Sequence, residues 1–369
     1  MKLKLSLTLF AIFALVLAFT SCNKEKEEDS KPLRIPSSEI TLDSSHDYAA
    51  TTPAKGQLGR VLFYDKALSE NGTVSCGSCH IQEFAFADNK RFSIGFEGEP
   101  TPRNTPPIQN LSNAFSVLPF SPPNGQALFW DGRSRNLEDM VFEPFTNHIE
   151  MGLASPAEII DRLSVKQHYR QLFSAAFGSS EVTISRIGES LAGFVASMGS
   201  HGSPFEQAIS TGNLNTLAPD VQEGFNLFVQ TYNCMSCHDV VSNIGYVEAF
   251  GEEFVNIGLD LSPSDYGRAD VTENPEDIAK FKIPNLRNIA LTAPYMHDGR
   301  FETLEEVIDH YSHQVKPHDN LDQRLKDFSG EPLVHNIPDE DKQKLIAFMN
   351  ALTDENFVTN PAFSDPFSE

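Results

Sequence analysis

Four cysteines carry the most legible chemistry in this chain. They fall in two frames, C-G-S-C-H at residues 76–80 and C-M-S-C-H at 234–238. C-x-x-C-H is the attachment signature of c-type haem. Its two thiols reach the two vinyl groups of one porphyrin, and the next residue, His80 or His238, coordinates the iron. Cys76, Cys79, Cys234 and Cys237 would then all enter thioether bonds, so no disulfide is expected. Two C-x-x-C pairs could instead hold one zinc or work as redox dithiols. The histidine that follows at once in both copies, in a chain with an export leader, favours two covalent haems.

The other face of each iron decides between electron transfer and chemistry. Here a second repeat is informative: FWDGRSRNLEDMVFEP at 129–144 and MHDGRFETLEEVIDHY at 296–311 align without a gap. In the later copy Thr303 and Glu306 form a T-x-x-E capping box that opens a helix. Leu304, Val307, Ile308 and Tyr311 follow at i, i+3, i+4 and i+7, one buried face. Tyr311 is therefore a candidate sixth ligand as well as a candidate core tyrosine, with Met296, His297 and His310 as rivals for the same iron. In the earlier copy Leu137, Met140 and Val141 repeat the pattern, and Pro144, which has no donor atom, takes the place of the tyrosine. One closed and one open haem are expected.

An open haem needs a group that handles protons. No histidine lies between His80 and His148, and Met140 is the one methionine there. Glu150, in N-H-I-E-M-G, is the candidate acid–base residue, the alternative being a surface glutamate. Trp130, the single tryptophan, sits in the earlier copy where His297 sits in the later one. It is a candidate for core packing or for relaying an electron between redox centres.

These residues need elements to place them, and the repeat extends to those. Gly59-x-x-Leu62-Phe63 matches Gly224-x-x-Leu227-Phe228, and Pro106-Pro-Ile-Gln-Asn110 matches Pro284-Asn-Leu-Arg-Asn288. The expected fold is mainly α, with two tandem cytochrome c-like haem domains at 49–212 and 213–355 and a tail at 356–369. The boundary falls in the polar stretch 210–219. Helical spacing predicts helices over 157–177, 184–198 and 339–352, and no alternating strands.

Residues 1–21 read as an export leader: Lys2 and Lys4, an apolar run from Leu5 to Phe19, then Phe-Thr-Ser before Cys22. The small residues before Cys22 predict a lipoprotein-type site, with lipid anchoring at Cys22 and simple secretion as the alternative. Residues 22–48 are expected to be a solvated tether. The formal net charge of −23 argues against nucleic acid as a partner, and for solubility or a basic protein partner.

Together C-G-S-C-H, R-N-T-P, F-W-D-G-R, E-M-G, C-M-S-C-H, P-N-L-R-N and L-T-A-P-Y-M-H-D-G-R-F resemble the bacterial di-haem cytochrome c peroxidases, which include the MauG-type proteins. The resemblance spans roughly residues 50–352. It implies that the haem on His80 binds hydrogen peroxide, that Glu150 is its acid–base group, and that Trp130 lies between the two haems. The haem on His238 would be six-coordinate and handle electrons. A calcium ion between the haems would take the Asn104 side chain and the carbonyls of Thr292 and Pro294. A periplasmic or cell-envelope location, a homodimer and a small cytochrome c or copper-protein electron donor are further implications.

Three departures qualify the match. Tyr311 replaces the usual methionine ligand, as in MauG-type proteins; the loop near Phe96 has no histidine to block the first haem; and Met140 replaces a pocket glutamine. An anionic phenolate favours ferric and higher iron. The leading expectation is peroxide reduction to water. A MauG-like enzyme that oxidises residues of a partner protein is the second reading, and a non-catalytic di-haem electron carrier the third.

Overall fold

The computed structural model describes residues 51–111, 127–238, 240 and 254–367, all within one compact unit, Ile35–Glu369. The leader, Cys22 and the tether lie outside the described residues. Each half of the described chain is built on a first helix crossed by a last one. α1 (Pro53–Tyr64) opens on Thr52, whose side chain accepts from Lys55 N, with Pro53 in the first turn, where a missing N–H leaves nothing unpaired. α2 (Ile184–Ala196) opens in the same way on Thr183.

The two helices cross at Gly59, where an added Cβ would lie 2.0 Å from the Ser190 carbonyl oxygen and 2.7 Å from Phe194 Cβ. One turn on, Phe63 meets Phe194 edge to face at 5.4 Å. The second half repeats this. α3 (Pro219–Asn226) crosses α4 (Asp339–Asn350) at Gly224, where a Cβ would lie 1.9 Å from the Lys344 carbonyl oxygen, and Phe228 packs on Phe348 at 5.2 Å. The repeated G-x-x-L-F is thus a helix-crossing device: the glycine admits the partner backbone and the phenylalanine fills the space beyond. Gly224→Ala is expected to destabilise the protein by about 1–3 kcal/mol through overpacking, read as a lower denaturation midpoint.

The repeated asparagines also have matching roles. Asn110 and Asn288 are left-handed (φ 56° and 57°), and each binds the chain just after the last helix of its own half. Asn110 N donates to Met198 O at 2.8 Å, and Asn288 N donates to Leu352 O at 3.0 Å. Asn288 Nδ2 further donates to Ser200 Oγ at 2.9 Å and to Gln109 Oε1, so a buried polar seam joins the halves.

Several expectations need correction in detail. The helix predicted over 157–177 is two, Ala157–Ser164 and Gln167–Phe177, because Lys166 is extended and Arg170 Nη1 takes the freed carbonyls of Ser164 (2.9 Å) and Val165 (3.4 Å). A two-residue antiparallel pair, Phe254–Val255 with Phe281–Lys282, is too short to write an alternating pattern. The helix Pro204–Ser210, assigned by sequence to the first domain, sends Phe205 into the second core, 5.0 Å from the Phe348 ring.

Nor is the described part of 356–369 a free tail. Phe357 and Phe363 pack on Phe86 at 5.6 and 6.3 Å, and Tyr64 Oη donates to Phe363 O at 2.7 Å. No described helix is long and apolar enough to cross a membrane.

Candidate active site

The first C-x-x-C-H folds as a single helical turn, Cys76–Cys79, and the second as a 3-10 turn, Cys234–Ser236. Either turn brings its two thiols to one side and ends on the histidine: His80 N donates to Cys76 O at 2.9 Å, His238 N to Cys234 O at 3.0 Å. Each ring is then oriented by a backbone carbonyl. His80 Nδ1 lies 2.8 Å from Phe86 O, and His238 Nδ1 lies 3.0 Å from Pro284 O. A carbonyl only accepts, so Nδ1 carries the hydrogen and Nε2 keeps a free lone pair.

Burial pushes both imidazoles below the ordinary value, His238 to about 4. Both are neutral nitrogen donors, as iron ligation requires. Burial pushes Cys76 and Cys234 up to about 12 and Cys79 to about 11, which keeps them as thiols. Among the described residues no group of three or more His, Cys, Asp or Glu converges as a metal site, so the four cysteines do not form the zinc set considered from sequence. The residues present fit two separately attached c-type haems.

A cavity of about 1100 Å³ runs between the two motifs. Its wall includes Cys76, Cys79, His80, Trp130, Glu150 and, from the other half, His238. Trp130 is held from both sides: its Nε1 donates to Asn104 O at 2.8 Å, and its carbonyl accepts from Lys282 N at 2.8 Å. Beside it, Arg103 is a group the sequence reading missed. Its Nε and Nη2 grip Asp265 at 2.7 and 2.8 Å, and Nη1 reaches the buried Asp131 at 2.5 Å, tying R-N-T-P to D-G-R and to the second half.

Glu150 sits in a tightly constrained turn. Gly152 N donates to Asn147 O at 2.9 Å, Phe96 N to Glu150 O at 3.1 Å, and Glu70 N to Met151 O at 2.8 Å. At Gly95 a Cβ would lie 1.6 Å from Ile149 O, so the 91–100 loop packs directly against the turn. Phe96 faces Gly152, and no residue of 91–100 lines the cavity. The Glu150 carboxyl is raised above the ordinary value by burial; Arg133 opposes this and Glu143 adds to it. Arg133 Nε in turn binds Glu143 Oε2 at 2.6 Å.

The D-G-R repeats fold alike. Each is closed by an antiparallel bridge, Leu128 with Ser134 and Tyr295 with Phe301, and Phe129 and Met296 share a left-handed backbone (φ 63° and 74°). The Thr303–Glu306 capping box forms, with Thr303 Oγ1 accepting from Glu306 N at 3.2 Å. The α-helix it opens ends at Asp309, however, and Tyr311 lies in a π-helical turn, His310–Gln314. Such wide turns gather at functional sites. Burial, then Cys237 and Cys234 nearby, push the Tyr311 phenol well above its ordinary value, so only a strong local cation would hold it as phenolate.

Of the histidine rivals, His310 places Nε2 2.9 Å from Ile257 O, and His297 stacks face to face on Phe281 with ring centres 3.7 Å apart. In the earlier copy the helix Leu137–Met140 stops and a new turn, Glu143–Thr146, starts with Pro144 in its first positions. Pro144 and Met140 both line the cavity. Of the residues expected at calcium, Asn104 donates through Nδ2 to Lys90 O and Arg91 O at 3.1 and 3.2 Å, and Thr292 is buried.

The family model for di-haem cytochrome c peroxidase matches residues 53–213. A cytochrome c551 peroxidase of Nitrosomonas europaea is 36% identical over 268 residues, covering 70% of this chain and 74% of the relative. A methylamine utilization protein MauG of Methylorubrum extorquens is 32% identical over 305 residues, covering 82% and 79%. The crystal structure of a MauG-like protein associated with microbial copper homeostasis is 34% identical with a TM-score of 0.71, covering 94% of this chain and 100% of that one. The diheme peroxidase BthA from Burkholderia thailandensis, 23% identical with a TM-score of 0.67 over 85% of this chain and 90% of its own, shares the fold.

Proposed function

Since this chain belongs to the di-haem cytochrome c peroxidase and MauG family, we propose that it is an exported oxidoreductase reducing hydrogen peroxide to water with electrons from a small periplasmic cytochrome c or copper protein. The observation that carries this reading is that His80 and Glu150 line one and the same cavity, with Pro144 where the second half has Tyr311. Two haems c, one attached at Cys76, Cys79 and His80 and one at Cys234, Cys237 and His238, would supply peroxide reduction and electron storage when bound.

The chain's own part is proton handling and alignment. Glu150, held at the cavity wall, accepts a proton from incoming peroxide and returns it to the departing oxygen. Trp130, buttressed by Asn104 and Lys282, stands between the halves for electron passage. Tyr311 is the proposed sixth ligand at the second centre: it is buried near Cys234 and Cys237, while one ring nitrogen of its rival His310 is taken by Ile257 O. Asn104, Thr292 and Pro294 are proposed to hold a calcium ion, residues 49–212 and 213–355 to be its two haem domains, with the helix Pro204–Ser210 at the end of the first reaching over to pack on the core of the second, and Cys22 to carry the lipid anchor. A homodimer is proposed by analogy with the family.

Magnetic-resonance spectra of the ferric protein test this reading. A high-spin component that responds to peroxide or cyanide is expected; two low-spin centres indifferent to both would leave an electron carrier. Tyr311 favours a second reading, the MauG-like one, in which the same chemistry oxidises residues of a partner protein. Rapid turnover of a reduced small cytochrome c would decide for the peroxidase. Tyr311→Phe is expected to change the low-spin spectrum, and an unchanged one would remove Tyr311 as a ligand.

A further inference from the structure

We propose that Asn147 is the positioning residue that decides which oxygen of Glu150 carries its proton. The inference rests on the reading of Glu150 as the acid–base group and adds a residue to it. Asn147 Oδ1 faces two backbone donors, Ile149 N at 2.9 Å and Glu150 N at 3.4 Å. An amide turned the other way would set its NH2 against those N–H groups, so the orientation is locked. The locked NH2 then has one direction to donate, to Glu150 Oε1 at 2.8 Å. Oε1 is held as an acceptor, and the proton belongs on Oε2. Among the described residues Oε2 has no hydrogen-bonding partner, and Glu150 lines the cavity beside Cys76 and Cys79. The exchangeable proton is thereby directed toward the peroxide site and away from the turn.

The charged and titratable groups around Glu150 are few. Arg133 and Glu143 act on it from the segment before the turn, and His148 is its near neighbour in the chain. Cys76 and Cys79 face it from the first haem-attachment turn, and as thioethers they have no proton to exchange. Asn147 thus makes the direct hydrogen bond that favours the carboxylate, and removing that donor should move the titration upward.

The test is Asn147→Asp in the intact holoprotein. The aspartate keeps an acceptor for Ile149 N, so the turn retains its cap, but it sets a like charge against Oε1. The acid limb of kcat/KM for peroxide is expected to move up by about one pH unit or more, with activity recovering above the new limb. The carboxyl C=O stretch of Glu150 in infrared difference spectra, identified by its loss in Glu150→Gln, should titrate upward in parallel. Asn147→Ser, whose hydroxyl can cap the turn but is too short to reach Glu150, should shift both readouts in the same direction by less.

An unmoved limb and an unmoved infrared titration in either folded variant would overturn the role of Asn147, as would an equal fall in rate at every pH. If Glu150→Gln itself left turnover intact, the parent reading would fail instead, and the two failures are distinguishable.

Discussion

The Glu150→Gln variant is expected to lower kcat/KM for hydrogen peroxide by about 10²–10⁴-fold. Glutamine keeps the size of the side chain and an acceptor oxygen for Asn147 Nδ2, so the turn around residue 150 should hold and the melting temperature should barely change. What is lost is the capacity to take a proton and give it back. The pH profile gives the sign. Burial raises the Glu150 carboxyl above the ordinary value of 4.5, so the proton-accepting form disappears as pH falls through a point above that. The wild-type profile should therefore carry an acid limb displaced upward from an ordinary carboxylate, and the variant should lack that limb. Cyanide binding, which needs an open iron but no acid–base cycle, should survive. Turnover within threefold of wild type would end the assignment.

Arg103→Ala has the second large expected effect, on stability. Arg103 lies in the first half and joins Asp131, whose side chain is 7% exposed, to Asp265 in the second half, whose side chain is 25% exposed. Removing the cation strands both carboxylates. Losing one partner of a buried pair costs more than forming the pair gained, because the remaining charge is left desolvated. Asp131 keeps Arg133 at 3.2 Å and Asp265 keeps the Gly267 N–H at 2.8 Å, which moderates the loss. About 2–4 kcal/mol is expected, seen as a fall in melting temperature of roughly 3–6 °C. Arg103→Lys should recover part of it, since an ammonium keeps the charge but cannot make the two-point grip on Asp265. Because Asn104, the next residue, accepts from Trp130, the alanine variant should also disturb tryptophan fluorescence.

What could be read from sequence was local or repeated. The two C-x-x-C-H turns, the Thr303 capping box and the Gly59 and Gly224 crossings each depend on residues within one turn or one helix, so their spacing is written in the chain. Pro144 was legible as a contrast, since the repeat supplies Tyr311 for comparison. Glu150 and Trp130 were candidates from the residues themselves, and the cavity brings both to His80.

The features that stayed hidden are contacts between distant segments. Arg103 and Asp265 stand 162 positions apart, and nothing in R-N-T-P announces the partner. The docking of Phe357 and Phe363 on Phe86 is equally silent, because an aromatic near a terminus has no periodicity to show which core it joins. Asn147 could have been suspected as a turn-forming residue, but its grip on Glu150 needs the orientation of an amide, which spacing does not encode. The π turn at His310 escaped for a related reason: an i, i+7 pattern is compatible with both a regular helix and one that widens before the last residue.

The carbonyl partners of the two imidazoles have an electronic consequence. Phe86 O and Pro284 O accept a hydrogen bond without bearing a full negative charge, so neither ring is driven toward the imidazolate that a carboxylate neighbour would promote. With a haem attached, His80 would therefore lend its iron only modest extra electron density, and the proposed proton handling by Glu150 on the cavity wall would carry more of the demand. A carboxylate engineered next to His80 Nδ1 would push the ring toward imidazolate, and in the haem-loaded protein it should relax the demand on Glu150 and lower the reduction potential.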